Sequence, residues 1–63
     1  MIMFVLYSSV KVKSSGFTGS IVEIDDNNGK NLPVYLVEYD EQFYDDPNDA
    51  LDWFEEDEIE LVK

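Results

Sequence analysis

The stretch LDWFEEDEIELV, residues Leu51–Val62, decides the fold of this chain. Its second half alternates apolar and acidic residues, which is the pattern of a strand with one buried side. Ile59 and Leu61 are predicted to face the core. Glu58 and Glu60 then project to the opposite side, into water.

Two aromatic residues, Trp53 and Phe54, stand immediately before the acidic turn Glu55–Glu58. We expect Leu51–Phe54 to be a further short strand, with both aromatic rings closing over the same core. The turn is expected to be a single helical or 3₁₀ turn, because it is too short for a longer helix. Together these elements predict a small β-barrel.

The N-terminal half supplies more strands. Met1–Tyr7 is an unbroken apolar run and is interpreted as a strand that is apolar on both faces. It lacks the basic start of a signal peptide and is too short to cross a membrane, so no membrane partner is expected. Ser9–Lys13 alternates valine and lysine, as a strand with one wet face does.

The next strand is predicted over Phe17–Ile24, and it contains a glycine at Gly19. Glycine inside a strand suggests a bulge or a tight bend. Ile21 and Ile24 are both inward candidates, although they differ in parity. A bend between them would reconcile the two positions.

The middle of the chain predicts a hairpin. Asn28 and Gly29 favour a turn that needs positive φ, and Val34–Tyr39 is the strand that follows it. Asp40–Ala50 is the longest irregular segment. No internal repeat and no linker is visible, so residues 1–63 are interpreted as one domain.

Length and composition exclude most site chemistry. A chain of 63 residues buries only about 60% of its unfolded surface, which leaves a thin core and no deep cleft. It contains no Cys and no His, so thiolate nucleophiles, disulfides and the commonest metal ligand are absent. We therefore predict that the chain is not an enzyme and uses no cofactor. The lack of Cys fits a cytoplasmic location.

The formal net charge is −11, from 15 acidic residues and four lysines. Direct binding of nucleic acid is not expected, since that needs a basic surface that releases counterions. A basic protein, or the nucleic-acid groove of a protein, is the better partner. The alternative is that the charge only keeps the domain soluble.

The order of elements resembles a known family of folds. The runs GFTGSIVEID, PVYLVEYD and WFEEDEIELV, within residues 10–62, resemble small SH3-like barrels with five strands and a 3₁₀ turn before the last strand. The family they resemble is photosystem I reaction-centre subunit IV (PsaE) with related electron-transport accessory proteins. The residues that match are Gly19, Ile21 and Val22, then Pro33, Val34 and Val37, and finally Asp57, Glu58, Ile59 and Val62. The photosynthetic members dock through basic residues, which this chain almost lacks, so their role is not carried over.

The acidic residues of the C-terminal half are the first candidate site. Glu58 and Glu60 are predicted to form a regular row that neighbouring carboxylates extend. Such a row can imitate a phosphate backbone, which leads to the hypothesis of a nucleic-acid-mimicking inhibitor of the phage anti-defence type. The predicted acidic face comprises Asp45, Asp46, Asp49, Asp52, Glu55, Glu56, Asp57, Glu58 and Glu60.

An aromatic cluster around the long loop is the second candidate. Plain packing accounts for it, while an SH3-like groove for polyproline peptides or a Tudor-like cage for methylated side chains are the functional alternatives. An adaptor that docks through this loop or through Met1–Tyr7 stays open as well, as does a homodimer through Met1–Tyr7. The aromatic residues in question are Tyr39, Phe43, Tyr44 and Trp53.

A metal site is not predicted. Asp25–Gly29 offers oxygen ligands, but counting back from Gly29 places Ile24 at the first position of an EF-hand loop. Asp45, Asp46, Asn48 and Asp49 could gather round a cation, but they match no known motif.

Overall fold

The computed structural model of the chain describes residues 4–26 and 33–62. It is all-β, with five strands and three short 3₁₀ turns in the described part of the chain. The turns are Glu41–Phe43, Pro47–Asp49 and Glu56–Glu58. The strands are β1 (Ser9–Val12), β2 (Thr18–Asp25), β3 (Val34–Tyr39), β4 (Leu51–Glu55) and β5 (Ile59–Leu61).

All five strands belong to one antiparallel sheet in the order β4-β3-β2-β1-β5. The predicted strands are thus confirmed from Ser9 onward, as is the 3₁₀ turn before the last strand. Within the described residues the pairing ends at β4 on one side and at β5 on the other. The sheet is therefore open in its hydrogen bonding, and a closed barrel is not confirmed.

The core lies on one side of this sheet, called here the inner side. It is built from alternate residues of β1, β2, β3 and β5, because successive side chains of a strand point to opposite faces. Tyr35 occupies its centre, with the ring of Phe4 edge-on at 5.2 Å between centroids. The buried apolar side chains are Phe4, Val10, Val12, Ile21, Tyr35, Val37 and Ile59.

Strand β2 changes parity at a bulge. Ile21 stands opposite Val37, but the register shifts before Glu23, so that Ile24 stands opposite Tyr35. The predicted bend between Ile21 and Ile24 is confirmed. Gly19 has a different role from the one expected, because a Cβ there would meet the backbone of β3 at the Glu38 carbonyl.

The predicted N-terminal strand is wrong for the part of Met1–Tyr7 that is described, residues 4–7. Phe4 is buried, but Val5 and Tyr7 are exposed and Tyr7 has a positive φ of 68°. The chain turns here, and the Tyr7 amide donates to the Ile21 carbonyl at 2.7 Å. Among the described residues of this run, Phe4 enters the core, and Val5, Leu6 and Tyr7 remain on the surface.

Two residues predicted to be in the core are exposed. Leu61 has the parity of Ile59 but is 54% exposed, because it ends the edge strand β5, and no further strand of the described residues lies beside it. Trp53 is 48% exposed, whereas the neighbouring Phe54 packs against the core. Only one of two adjacent residues on a strand can face inward.

Among the described residues, no helix has the length and apolar character needed to span a membrane.

Candidate functional site

The acidic residues lie at the surface of the molecule. All of them fall within the described residues, where no polar or charged side chain is buried. Twelve are exposed, and Asp25, Glu55 and Glu56 are partly covered. Their charges therefore act on the surrounding solvent and on anything that approaches.

Strand β4 separates two groups of these carboxylates. Five residues at about 3.3 Å each make the strand roughly 13 Å long between its first and last residues. At its start, Asp45, Asp46 and Asp49 line a shallow depression together with Gln42, Phe43 and Tyr44. At its end, Glu55, Glu56 and Asp57 line another depression beside Pro33.

Several carboxylates also hold the local fold. Asp46 caps the turn Pro47–Asp49 by accepting a hydrogen bond from the Asn48 amide at 2.9 Å. Glu56 accepts a hydrogen bond from the Tyr35 hydroxyl at 2.9 Å. These two carboxylates therefore stabilise the fold around them, in addition to contributing negative charge to the surface.

The predicted row of Glu58 and Glu60 is not formed. Glu58 ends a 3₁₀ turn and is not part of a strand. Its carboxylate accepts the Glu55 amide at 2.8 Å, which draws it back toward β4. Glu60 alone projects from β5, directly opposite Lys11 of β1.

Asp52 lies on the inner side of the sheet, opposite Val37. The Tyr39 hydroxyl donates to its carboxylate at 2.9 Å. Burial, that hydrogen bond and the negative charge of Asp52 together raise the pKa of Tyr39 to about 12. The ionised tyrosine is disfavoured because it would be desolvated and would face a second negative charge.

The two lysines of the described residues lie far from β4 in the strand order. Lys11 belongs to β1, and Lys13 follows it, with its amide donating to the Glu58 carbonyl at 2.9 Å. Strands β2, β3 and β4 contain no lysine at all. Negative charge is therefore balanced locally at the β1–β5 edge and unbalanced across the other three strands.

The predicted aromatic site is divided between the two sides of the sheet. Phe17, which was not among the predicted site residues, stacks on Phe43 at 4.7 Å and meets Tyr39 edge-on at 5.6 Å. Trp53 stands on the outer side, opposite Leu36. Rings that pack on one another leave no open cage, so the arrangement favours packing over recognition of a methylated side chain.

No cluster of three or more acidic side chains in residues 4–26 and 33–62 is arranged to hold a metal ion. This includes Asp45, Asp46 and Asp49. The loop Asp25–Gly29 lies partly outside the described residues.

An apolar strip on the outer side of β3 and β4 was missing from the sequence-based site. Leu36 stands opposite Trp53, and Leu51 stands opposite Glu38. Leu51 is 43% exposed. The signal was present in the second face of β3, where Val34 and Leu36 alternate with core residues.

Comparison of the chain with protein-family models, curated proteins and solved structures finds no match. The resemblance to the subunit IV family stays a prediction.

Proposed function

We propose that this chain is a non-enzymatic binding module whose acidic side engages a basic surface of a cytoplasmic protein. The observation that carries the proposal is the uneven charge. Carboxylates occupy both ends of β4 and the outer side of β2 and β3, while the described lysines lie on or next to β1. A surface of one sign attracts its opposite and speeds encounter with it.

The sharper form of this proposal is an inhibitor that occupies the nucleic-acid groove of its partner, as anti-defence proteins of phages do. Two acidic groups, one at each end of a strand about 13 Å long, replace the regular row expected from the sequence. Each depression presents several carboxylates at once, which suits a groove lined with Lys and Arg. Nucleic acid itself is repelled, because both molecules are negative.

An adaptor that docks through apolar contacts is the second candidate, and the N-terminal segment favours it. Val5 and Tyr7 are 68% and 77% exposed. The Val62 amide donates to the Ser9 carbonyl at 3.0 Å, which places the exposed Val62 beside the start of β1, two residues after Tyr7. An accessory subunit of the electron-transport type, or a homodimer through Met1–Tyr7, would use this surface.

The dependence of binding on salt concentration distinguishes the two candidate functions. The chain is immobilised and exposed to extract of the cells it comes from, and bound proteins are eluted with rising ionic strength. Engagement of the acidic side predicts a basic protein that is released as salt screens the charges. Retention that is indifferent to salt contradicts it and supports the apolar adaptor.

A matched pair of variants locates the contact. Asp45→Asn with Asp49→Asn neutralises two exposed carboxylates next to β4. Asp26→Asn with Glu60→Gln removes the same charge from exposed positions elsewhere. The double variant at Asp45 and Asp49 is expected to no longer bind the captured protein. The double variant at Asp26 and Glu60 is expected to bind it as the unmodified chain does. Displacement of that protein by duplex DNA then supports mimicry, and failure of DNA to displace it excludes mimicry while leaving acidic-side binding in place.

A further inference from the structure

Strand β4 combines an exposed apolar strip on its outer side with an edge that no other described strand pairs with. Trp53 and Leu51 are half exposed, although each belongs to a regular strand. Directly opposed residues of an antiparallel pair have Cβ atoms about 4.5–5.5 Å apart, so Trp53 adjoins the Leu36 side chain of β3. The three side chains therefore form one continuous apolar strip, called here the β4 strip.

The backbone amide and carbonyl groups of Leu51 and Trp53 point toward the free edge of β4. The Tyr39 amide donates to the Ala50 carbonyl at 2.7 Å, which places these two residues at a hydrogen-bonding position of the ladder, although the Ala50 amide donates to the Pro47 carbonyl. Hydrogen-bonded and non-hydrogen-bonded pairs alternate along an antiparallel ladder. Leu51 and Trp53 consequently direct their amide and carbonyl groups away from β3. Within the described residues no strand pairs with that edge.

Carboxylates border the strip. Glu23 stands opposite Leu36 on its β2 side, and Glu38 stands opposite Leu51. Glu55 shares the outer side with Trp53, two residues further along β4. An apolar centre with an acidic border is complementary to a segment that carries both apolar and basic side chains.

We infer that the β4 strip and its free edge bind an extended segment of alternating apolar and basic residues, added as a sixth strand beside β4. The segment's backbone would satisfy the amide and carbonyl groups of Leu51 and Trp53. Because successive side chains of a strand point to opposite faces, its apolar side chains would extend the β4 strip on the outer side, and its lysines or arginines would lie on the inner side, beside the exposed carboxylate of Asp52. This inference rests on the proposed function, since it names the basic element that the acidic side recognises.

A second copy of this chain is the rival occupant, and charge argues against it. Pairing β4 with β4 would oppose two acidic borders, and like charges across strands are destabilising. Asp52, on the inner side of the same strand, adds a further charge to such an edge. Inward-pointing charged residues are a common protection of edge strands against self-association.

The experiment uses two synthetic peptides of equal composition. In one, lysine and valine alternate, and in the other the same residues stand in two blocks. Binding is measured by calorimetry and by the fluorescence of Trp53, the only tryptophan of the chain. The alternating peptide is expected to bind at least about tenfold more tightly, with a blue shift of emission as Trp53 leaves water. Backbone amide shifts in the nuclear magnetic resonance spectrum are expected to be largest at Leu51 and Trp53.

Trp53→Ala and Leu61→Ala form the matched pair of variants, since both remove an exposed apolar side chain from an edge strand. Trp53→Ala is expected to lower the affinity for the alternating peptide about tenfold or more. Leu61→Ala is expected to leave that affinity unchanged. Equal binding of both peptides, or no loss with Trp53→Ala, overturns the inference. A concentration-dependent dimer that Trp53→Ala disrupts also overturns it, in favour of the second copy.

The two proposals fail separately. If neither peptide binds, but extract capture still depends on salt and on Asp45 and Asp49, the inference is wrong and the acidic module stands. If capture is indifferent to salt, the acidic module fails and the inference fails with it.

Discussion

The two edge strands, β4 and β5, follow each other in the chain and are joined only by the turn Glu56–Glu58. Strand β5 follows the predicted parity, since Ile59 and Leu61 have the inner parity and Glu60 the outer one, although Leu61 is exposed at the end of the strand. Strand β4 does not, because Asp52 has the inner parity and Trp53 the outer one. Simple alternation thus predicts one edge of this sheet and fails at the other.

The reason is that β4 contains two adjacent aromatic residues, and the register selects one of them. Phe54 stands opposite the central Tyr35 and packs against the core and the ring of Tyr39. Trp53 is then forced outward, and Asp52 is forced inward, where the Tyr39 hydroxyl satisfies it. A strand whose apolar residues occupy both parities leaves one of them on the surface, where it is available to a partner.

The largest expected effect in this comparison is on β5. Ile59→Ala removes a side chain that is 1% exposed and leaves a cavity in a small core, which should lower the free energy of unfolding by about 2–5 kcal/mol. Trp53→Ala should cost about 1 kcal/mol or less, although it removes more atoms. Urea unfolding of both variants measures the difference. Equal losses would mean that Trp53 is part of the core in solution.

The second expected effect concerns the inward carboxylate of β4. Tyr39 has a pKa of about 12 in the folded chain against an ordinary value of 10.0. Below pH 10 the tyrosine is protonated in both states, and its contribution to stability is complete. As the pH rises toward 12 the unfolded form ionises first, so stability is lost over this interval. Tyr39→Phe should make the decline shallower, as followed by urea unfolding at several pH values.

Asp52→Asn is the control for that effect. It removes the negative charge but keeps an acceptor for the Tyr39 hydroxyl. The pKa of Tyr39 should then fall toward its ordinary value without reaching it, because burial is the largest cause of the shift. An unchanged pKa, measured from tyrosinate absorbance relative to the Tyr39→Phe variant, would show that Asp52 does not face the hydroxyl.

The smallest expected effect is at the outer side of β5. Lys11 and Glu60 are directly opposed, and exposed pairs of opposite charge contribute about 0.2–1 kcal/mol. A double-mutant cycle with Lys11→Ala and Glu60→Ala should give a coupling in this range that shrinks as salt is added. A coupling that is independent of salt would indicate contact of the side-chain stems instead of charge.

The sequence predicts the strands of this molecule better than it predicts its surface. Val34–Tyr39 is predicted to the residue, and the parity switch between Ile21 and Ile24 reveals a bulge, because period-2 patterns record which face is buried. The run Met1–Tyr7 misleads, since a stretch that is apolar at every position carries no such pattern.

The candidate site depends on long-range register, which composition does not contain. The acidic residues are correctly expected at the surface, but their division into two groups follows from the turns at either end of β4. The failed row of Glu58 and Glu60 has a local cause, since one hydrogen bond to the Glu55 amide redirects Glu58. Neither Trp53 nor Asp52 could be assigned to a side before the opposing residues of β3 were known.

The strand order also sets the sequence in which this molecule can assemble. Strands β2, β3 and β4 form a meander of neighbours, whereas β5 returns to pair with β1, about fifty residues earlier in the chain. Closing so long a loop has an entropic cost that is recovered only when Ile59 enters the core. We therefore expect the meander that carries the β4 strip to form early and the docking of β5 to be a late step of folding.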